Sequence, residues 1–150
     1  MVESLAAFDA RSSARSDSGL QIVIGENNAD LAMTLRLLLE AEPDMRCIAT
    51  AASASAVLRS AEEHAPNAFI LDLSLDDGSS LPLISTLRER LPQAAIIVYT
   101  GHRNAMLNEQ CVRAGANAVV VKTGEIDELT GALRRAAGDG AATVGRSSGS

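Results

Sequence analysis

Short apolar runs and longer stretches of helical spacing alternate along this chain, five times between residues 20 and 137. The runs are Leu20 to Ile24, Cys47 to Ala51, Ala68 to Leu71, Ala95 to Tyr99 and Ala118 to Val121. Most lack polar alternation and many of their residues are β-branched, which suits strands covered on both faces of a parallel sheet. The stretches between them predict helices. Leu31, Leu35, Leu38 and Leu39 fall at i, i+4, i+7 and i+8, with Asn27 or Asn28 as N-cap and Pro43 beyond the end. Helices over about Ala54 to Glu63 and Leu81 to Arg90 stop ahead of Pro66 and Pro92, because proline disfavours a helical residue before it. A fourth runs from about Asn104 to Arg113 and closes on Gly115. A fifth covers about Glu125 to Ala137, with Thr123 or Gly124 near its start.

Successive strand–helix units imply right-handed crossovers, hence an α/β domain with one parallel sheet and helices on both faces. Residues 1–19 mix Ser, Ala, Arg and Asp without a period, and 138–150 are rich in Gly and Ser. We expect a disordered N-terminal extension, a domain over 20–137, and a flexible C-terminal tail or linker.

Composition narrows the class. The 150 residues are 47% hydrophobic with a formal net charge of -6, enough for one core that needs neither disulfides nor a structural metal. Cys47 and Cys111 lack the spacing of a zinc site and read as reduced core thiols. No apolar run approaches the length of a bilayer span, and the N-terminal residues lack the basic-then-apolar order of a secretory signal. A cytoplasmic protein without membrane contact is therefore expected. Aromatic residues are confined to Phe8, Phe69 and Tyr99. With a negative net charge, that argues against base stacking and phosphate attraction, so no direct nucleic-acid binding is expected of this segment.

Ligands of an open parallel sheet sit at the carboxyl ends of the strands, so the residues closing each apolar run carry the candidate chemistry. The first run ends in Gly25-Glu26-Asn27, the third in Asp72, the fourth in Thr100-Gly101 and the fifth in Lys122. Carboxylate and amide, carboxylate, hydroxyl and ammonium thus reach one edge. Such a set suits a phosphoryl group handled with a divalent cation. Mg²⁺ takes one or two protein carboxylates and keeps waters, lysine supplies charge for phosphoryl oxygens, and a hydroxyl adds a directed hydrogen bond.

In this order, Glu26-Asn27, Asp72 in FILDLSL, Thr100 in IIVYTG and Lys122 in AVVVKT resemble the receiver domains of bacterial two-component response regulators. The steps of 28 positions from Asp72 to Thr100 and 22 from Thr100 to Lys122 are those of that family. The resemblance covers about residues 20 to 137. Thr123 rather than proline after Lys122 makes the chain most similar to receivers that precede helix-turn-helix output domains. The resemblance implies a flavodoxin-like doubly wound sheet of strand order 2-1-3-4-5. It also implies a phosphorylation-dependent signalling switch, a regulator rather than a metabolic enzyme.

Residue by residue, the resemblance makes Asp72 the phosphoacceptor, receiving its group from a histidine kinase or a histidine phosphotransfer protein as an aspartyl phosphate. It places Mg²⁺ on Asp72, Glu26, Asn27 and the backbone carbonyl of Ser74. Thr100 and Lys122 bind the new phosphoryl group and draw the last two strand ends inward, and Gly101 leaves room for the donor and for water. The fourth helix, fifth strand and fifth helix form the surface such domains use for homodimers or output contacts, with Leu129, Leu133 and residues 134–136 as candidates. Nothing after Lys122 has room for both a fifth helix and a DNA-binding module, so output is expected through a partner, a dimer or a further domain.

Three positions depart from the family pattern. Asn27 stands where a second acid is usual, which removes one negative charge and lowers the expected Mg²⁺ affinity unless Glu26 reaches the ion. Val119 stands at the switch aromatic's place, three residues before the lysine. Leu75-Asp76-Asp77 replaces the usual Met-Pro-Gly. These departures support an alternative reading, a phosphate-independent pseudo-receiver acting as a protein-interaction module. Structural readings also stand beside the chemical ones: Glu26 and Asn27 as an N-cap pair, Asp76, Asp77 and Gly78 as turn residues, and Arg88, Glu89 and Arg90 as a solvated helix face. His64 and His102 read as surface side chains, with His102 near enough to Thr100 to influence dephosphorylation.

Overall fold

The computed structural model describes residues 19–101, 104–123 and 125–146. The expected N-terminal extension before Gly19, together with Phe8, His102 and Gly124, lies outside the described residues. The elements are β1 (Leu20–Gly25), α1 (Ala29–Glu40), β2 (Met45–Ala51), α2 (Ala54–His64) and β3 (Ala68–Leu71). A small hairpin comes next, β4 (Ser74–Leu75) with β5 (Gly78–Ser79). Then come α3 (Leu81–Arg90), β6 (Ala95–Thr100), α4 (Ala105–Ala114), β7 (Ala118–Val121) and α5 (Ile126–Arg146). The main sheet has the order β2-β1-β3-β6-β7, with every pairing parallel. Without the hairpin strands this is the expected 2-1-3-4-5 order.

Alternation along the strands divides the core in two. Ile22, Ile24, Ile70, Ile97 and Tyr99 pack with Leu35 and Leu39 of α1 and Leu129 and Leu133 of α5. Val23, Phe69, Leu71, Ile96 and Val98 pack on the other face with Val57 of α2, Leu83, Ile84 and Leu87 of α3, and Cys111 of α4. Every residue of β3 and β6 is buried, as central parallel strands covered on both sides require. The same packing corrects one expectation: Leu129 and Leu133 are 0% exposed, so they belong to the core and not to a docking surface. Both cysteines are free and buried, and burial pushes both thiols above their ordinary pKa.

Local chemistry sets the ends. Asn28, not Asn27, caps α1, its Oδ1 accepting from the Leu31 N–H at 3.1 Å, and Ser53 and Asn104 cap α2 and α4 in the same way. β2 begins two residues earlier than its apolar run, and its register with β1 slips between Ile22 and Val23, leaving Ile48 as a bulged residue. α5 runs on to Arg146, past the expected end near Ala137.

Arg88 is the clearest departure from the sequence reading. It is part-buried rather than solvated, and its guanidinium donates to Gly115 O (2.9 Å), Pro92 O (2.8 Å), Ala94 O (2.8 Å) and Asn117 Oδ1 (2.8 Å). Its own stem fills the place where a side chain at Gly115 would go: a Cβ there would stand 2.7 Å from Arg88 Cβ. Gly115 also has φ +129°, a region that favours glycine. At the same end of the sheet, Arg134 of α5 grips the α1–β2 loop through Asp44 (2.9 and 2.8 Å) and Glu42 (2.6 Å). Among the described residues no helix is long and apolar enough to cross a membrane.

Candidate functional site

Three residues continue the ladder of the sheet by one step beyond its strands. The Glu26 N–H donates to Ala51 O of β2 (2.8 Å), the Asp72 N–H to Gly25 O of β1 (2.8 Å), and the Lys122 N–H to Thr100 O of β6 (2.7 Å). Their backbones are therefore fixed by sheet hydrogen bonds, while their side chains leave the carboxyl edge. Gly25 makes this edge tight, since a Cβ there would meet Leu71 Cδ2 at 2.9 Å and Val57 Cγ2 at 3.0 Å.

The side chains converge on one ammonium. Lys122 Nζ donates to Glu26 Oε1 at 3.0 Å and to Asp72 Oδ2 at 3.4 Å. The Glu26 side chain is 3% exposed, that of Asp72 16% and that of Lys122 22%. The Asp72 carboxylate thus keeps access to solvent while that of Glu26 does not. The other Glu26 oxygen, Oε2, accepts the Asn28 N–H at 3.1 Å. Glu26 is therefore not a free cap residue: it ties the start of α1 to the lysine. Asn27 is exposed beside it.

The remaining expected residues flank this centre. Thr100 ends β6 and is 1% exposed. Gly101 is exposed, and a side chain there would enter open space. Val119 lies within the edge strand β7, half-buried. An aromatic ring reaches the site from elsewhere: the Tyr99 centroid is 5.8 Å from Lys122 Nζ, and burial raises the Tyr99 phenol above its ordinary pKa although the lysine opposes this.

After Asp72 the chain makes the β4–β5 hairpin, which sequence periodicity does not reveal. Ser74 pairs with Ser79 and Leu75 with Gly78. Asp76 and Asp77 form the turn, as expected of turn residues, and Gly78 has φ +123°. Ser80, fully buried, donates its hydroxyl to the Asp72 carbonyl, and its N–H donates to Leu73 O at 3.0 Å. Asp77 does more than turn the chain: its two oxygens accept the N–H groups of Ala54 (2.7 Å) and Ser55 (3.2 Å) at the start of α2. These bonds hold its carboxyl below the usual range. A capping residue 23 positions away leaves no local pattern to read.

The donors available to a cation are all hard oxygens. Among the described residues no cluster of three or more His, Cys, Asp or Glu gathers. A cation here would draw on the Glu26 and Asp72 carboxylates, which already meet at one positive charge, on the exposed Asn27 amide and on the Ser74 carbonyl. Two carboxylates supplemented by neutral oxygens and water match the demands of Mg²⁺.

The family model of the response regulator receiver domain matches residues 22–134. The chain belongs to that family. The oxygen regulatory protein NreC of Staphylococcus haemolyticus is 28% identical over 116 residues, 77% of this receiver and 54% of that protein. The photosynthetic apparatus regulatory protein RegA of Rhodobacter capsulatus is 29% identical over 112 residues, covering 75% and 59% of the two chains. The receiver thus spans little more than half the length of these curated relatives. Among solved structures, a LuxR-family two-component response regulator from Aurantimonas sp. SI85-9A1 superposes with a TM-score of 0.75 at 25% identity, over 81% of this chain and 87% of that one. This is the kind of regulator that the sequence resemblance points to.

Proposed function

We propose that this receiver is a phosphorylation-dependent switch whose acceptor is Asp72. The observation that carries the reading is the sharing of one lysine ammonium between a solvent-accessible carboxylate, Asp72, and a buried one, Glu26. A carboxylate oxygen of Asp72 attacks the phosphorus of a phosphohistidine on a histidine kinase or histidine phosphotransfer protein. The N–P bond breaks, the imidazole leaves with the bonding pair, and the aspartyl phosphate forms. The pre-placed ammonium of Lys122 then pairs with the added negative charge, and Thr100 donates its hydroxyl to a phosphoryl oxygen. Glu26, Asn27, Asp72 and the Ser74 carbonyl are the residues that would hold Mg²⁺, which supplies electrostatic neutralisation of the phosphoryl oxygens. The domain catalyses its own phosphotransfer and, through water admitted at Gly101, its own dephosphorylation, and acts as a cytoplasmic regulator rather than a metabolic enzyme. Output through a homodimer on the α4, β7 and α5 face belongs to the same proposal.

A second reading has one specific observation in its favour. Both oxygens of Glu26 are already engaged, by Lys122 and by the Asn28 N–H, and Asn27 adds no charge. A domain with this arrangement that failed to bind Mg²⁺ would act as a phosphate-independent interaction module. Intact-protein mass after incubation with acetyl phosphate and Mg²⁺, beside Asp72→Ala, separates the two. A gain of one phosphoryl group in the wild type alone is expected; no gain with acetyl phosphate or with histidine kinases as donors would favour the second reading.

A further inference from the structure

The β4–β5 hairpin has two residues in each strand, far below what an isolated hairpin needs to hold its shape in water. Its conformation must therefore come from its anchors. At its base, Ser80 donates to Asp72 O and Leu73 O. In its middle, Leu75 is 5% exposed and packs in the core with Val57 of α2. At its tip, the Asp76 N–H donates to Ala52 O at 2.9 Å, and the Asp77 carboxylate spans the first two N–H groups of α2. Those two N–H groups are orphans of the helix start. The helix does not depend on Asp77 for its own cap, because Ser53 Oγ already takes the Ala56 N–H at 3.1 Å. The Asp77 contact is thus supplied from outside a helix that is capped from within, and charge-assisted bonds of this kind are the strong class.

We propose that Asp77 is a positioning residue of the acceptor site: by clamping the hairpin tip to the start of α2 it fixes the Ser74 carbonyl and the backbone next to Asp72. The inference rests on the reading of Asp72 and Ser74 given above and deepens it. Ser74 pairs directly with Ser79 across the hairpin, and only Leu75 and Asp76 separate it from Asp77, so any loosening of the tip reaches the Ser74 carbonyl. This assigns chemistry to the Leu75-Asp76-Asp77 segment, where the chain departs from the family pattern.

The test compares Asp77→Ala, Asp77→Asn and Ser53→Ala with the wild type in the full chain. Two quantities are measured: Mg²⁺ affinity by calorimetry, and amide hydrogen exchange of residues 74–80 and 54–57 in metal-free buffer. Asp77→Ala is expected to speed exchange in both segments and, by freeing the backbone that presents the Ser74 carbonyl, to weaken Mg²⁺ binding about tenfold, the low end of the losses that follow when a metal ligand is no longer held in place. Asp77→Asn keeps one acceptor oxygen and is expected to fall between. Ser53→Ala uncaps the same helix while leaving the tip clamped, so it should speed exchange at 54–57 and leave Mg²⁺ affinity unchanged. Equal Mg²⁺ affinity in Asp77→Ala and the wild type would overturn the inference and leave Asp77 as a helix cap only; unchanged exchange at 74–80 would overturn it as well. Absence of Mg²⁺ binding in the wild type would instead reject the underlying reading, while the exchange data would still report whether the clamp exists.

Discussion

Lys122 and Glu26, 96 positions apart in the chain, form an ion pair of 3.0 Å whose carboxylate is almost wholly withdrawn from water. Removing one partner of such a pair leaves the other charge buried and uncompensated. The cost approaches 3–5 kcal/mol for fully buried pairs, and the partial exposure of the lysine reduces it here to about 2 kcal/mol. Lys122→Ala should therefore lower the urea-unfolding free energy by about that amount in metal-free buffer. Added Mg²⁺ should recover more stability in Lys122→Ala than in the wild type, since a cation bound only by the folded state stabilises it by linkage.

Asn27 gives a change with opposite effects on stability and binding. Asn27→Asp adds a third carboxylate beside Glu26 and Asp72 with one lysine to balance them, so the metal-free domain should be less stable in urea. The same added charge should tighten Mg²⁺ binding roughly tenfold, as read by calorimetry. Unchanged affinity would mean that position 27 does not reach the ion.

Arg88 joins the end of α3 to the turns before β6 and β7 through four oxygens. Hydrogen bonds from charged groups contribute about 1.5–3 kcal/mol each, and several are lost together, so Arg88→Ala should destabilise the fold by about 3 kcal/mol or more in urea unfolding. Arg88→Lys should rescue little, because an ammonium cannot reproduce the planar fork that spans Gly115, Ala94 and Asn117.

Two aspartates contribute to the acid limb of stability. The hydrogen bond from Arg134 holds the Asp44 carboxyl below its ordinary value, and the N–H groups of Ala54 and Ser55 do the same for Asp77. A folded pKa below the unfolded one means that the stabilisation is fully present above the unfolded value, near 4, and is lost as pH falls through the depressed folded value. The urea midpoint should therefore be insensitive to these groups from about pH 7 to pH 5 and fall below about pH 4. Asp44→Asn should have a lower midpoint at neutral pH and a shallower acid decline.

The strand ends were legible because buried parallel strands are uninterrupted apolar runs, and a polar residue closing such a run announces the sheet edge. That rule located Glu26, Asp72, Thr100 and Lys122, all of which the fold brings to one edge. Two kinds of feature escaped it. Asp77 and the hairpin are defined by contacts with residues 22 and 23 positions earlier, and a strand of two residues carries no period. Arg88 sits in a charged triplet that looks solvated, but a long stem allows its fork to fold back onto carbonyls that only tertiary packing brings near. The choice between Asn27 and Asn28 as cap was likewise undecidable from spacing, and its outcome leaves Asn27 available to a ligand.

Asp72, and no neighbouring carboxylate, is proposed to receive the phosphoryl group. After reaction with acetyl phosphate and Mg²⁺, borohydride reduction converts an aspartyl phosphate to homoserine, and tryptic cleavage after Arg59 and Arg88 releases one peptide that holds Asp72, Asp76 and Asp77 together. Fragmentation of that peptide should place homoserine at position 72 alone. Homoserine at 76 or 77, or an unmodified peptide with both acetyl phosphate and histidine-kinase donors, would contradict the assignment of Asp72 as the acceptor.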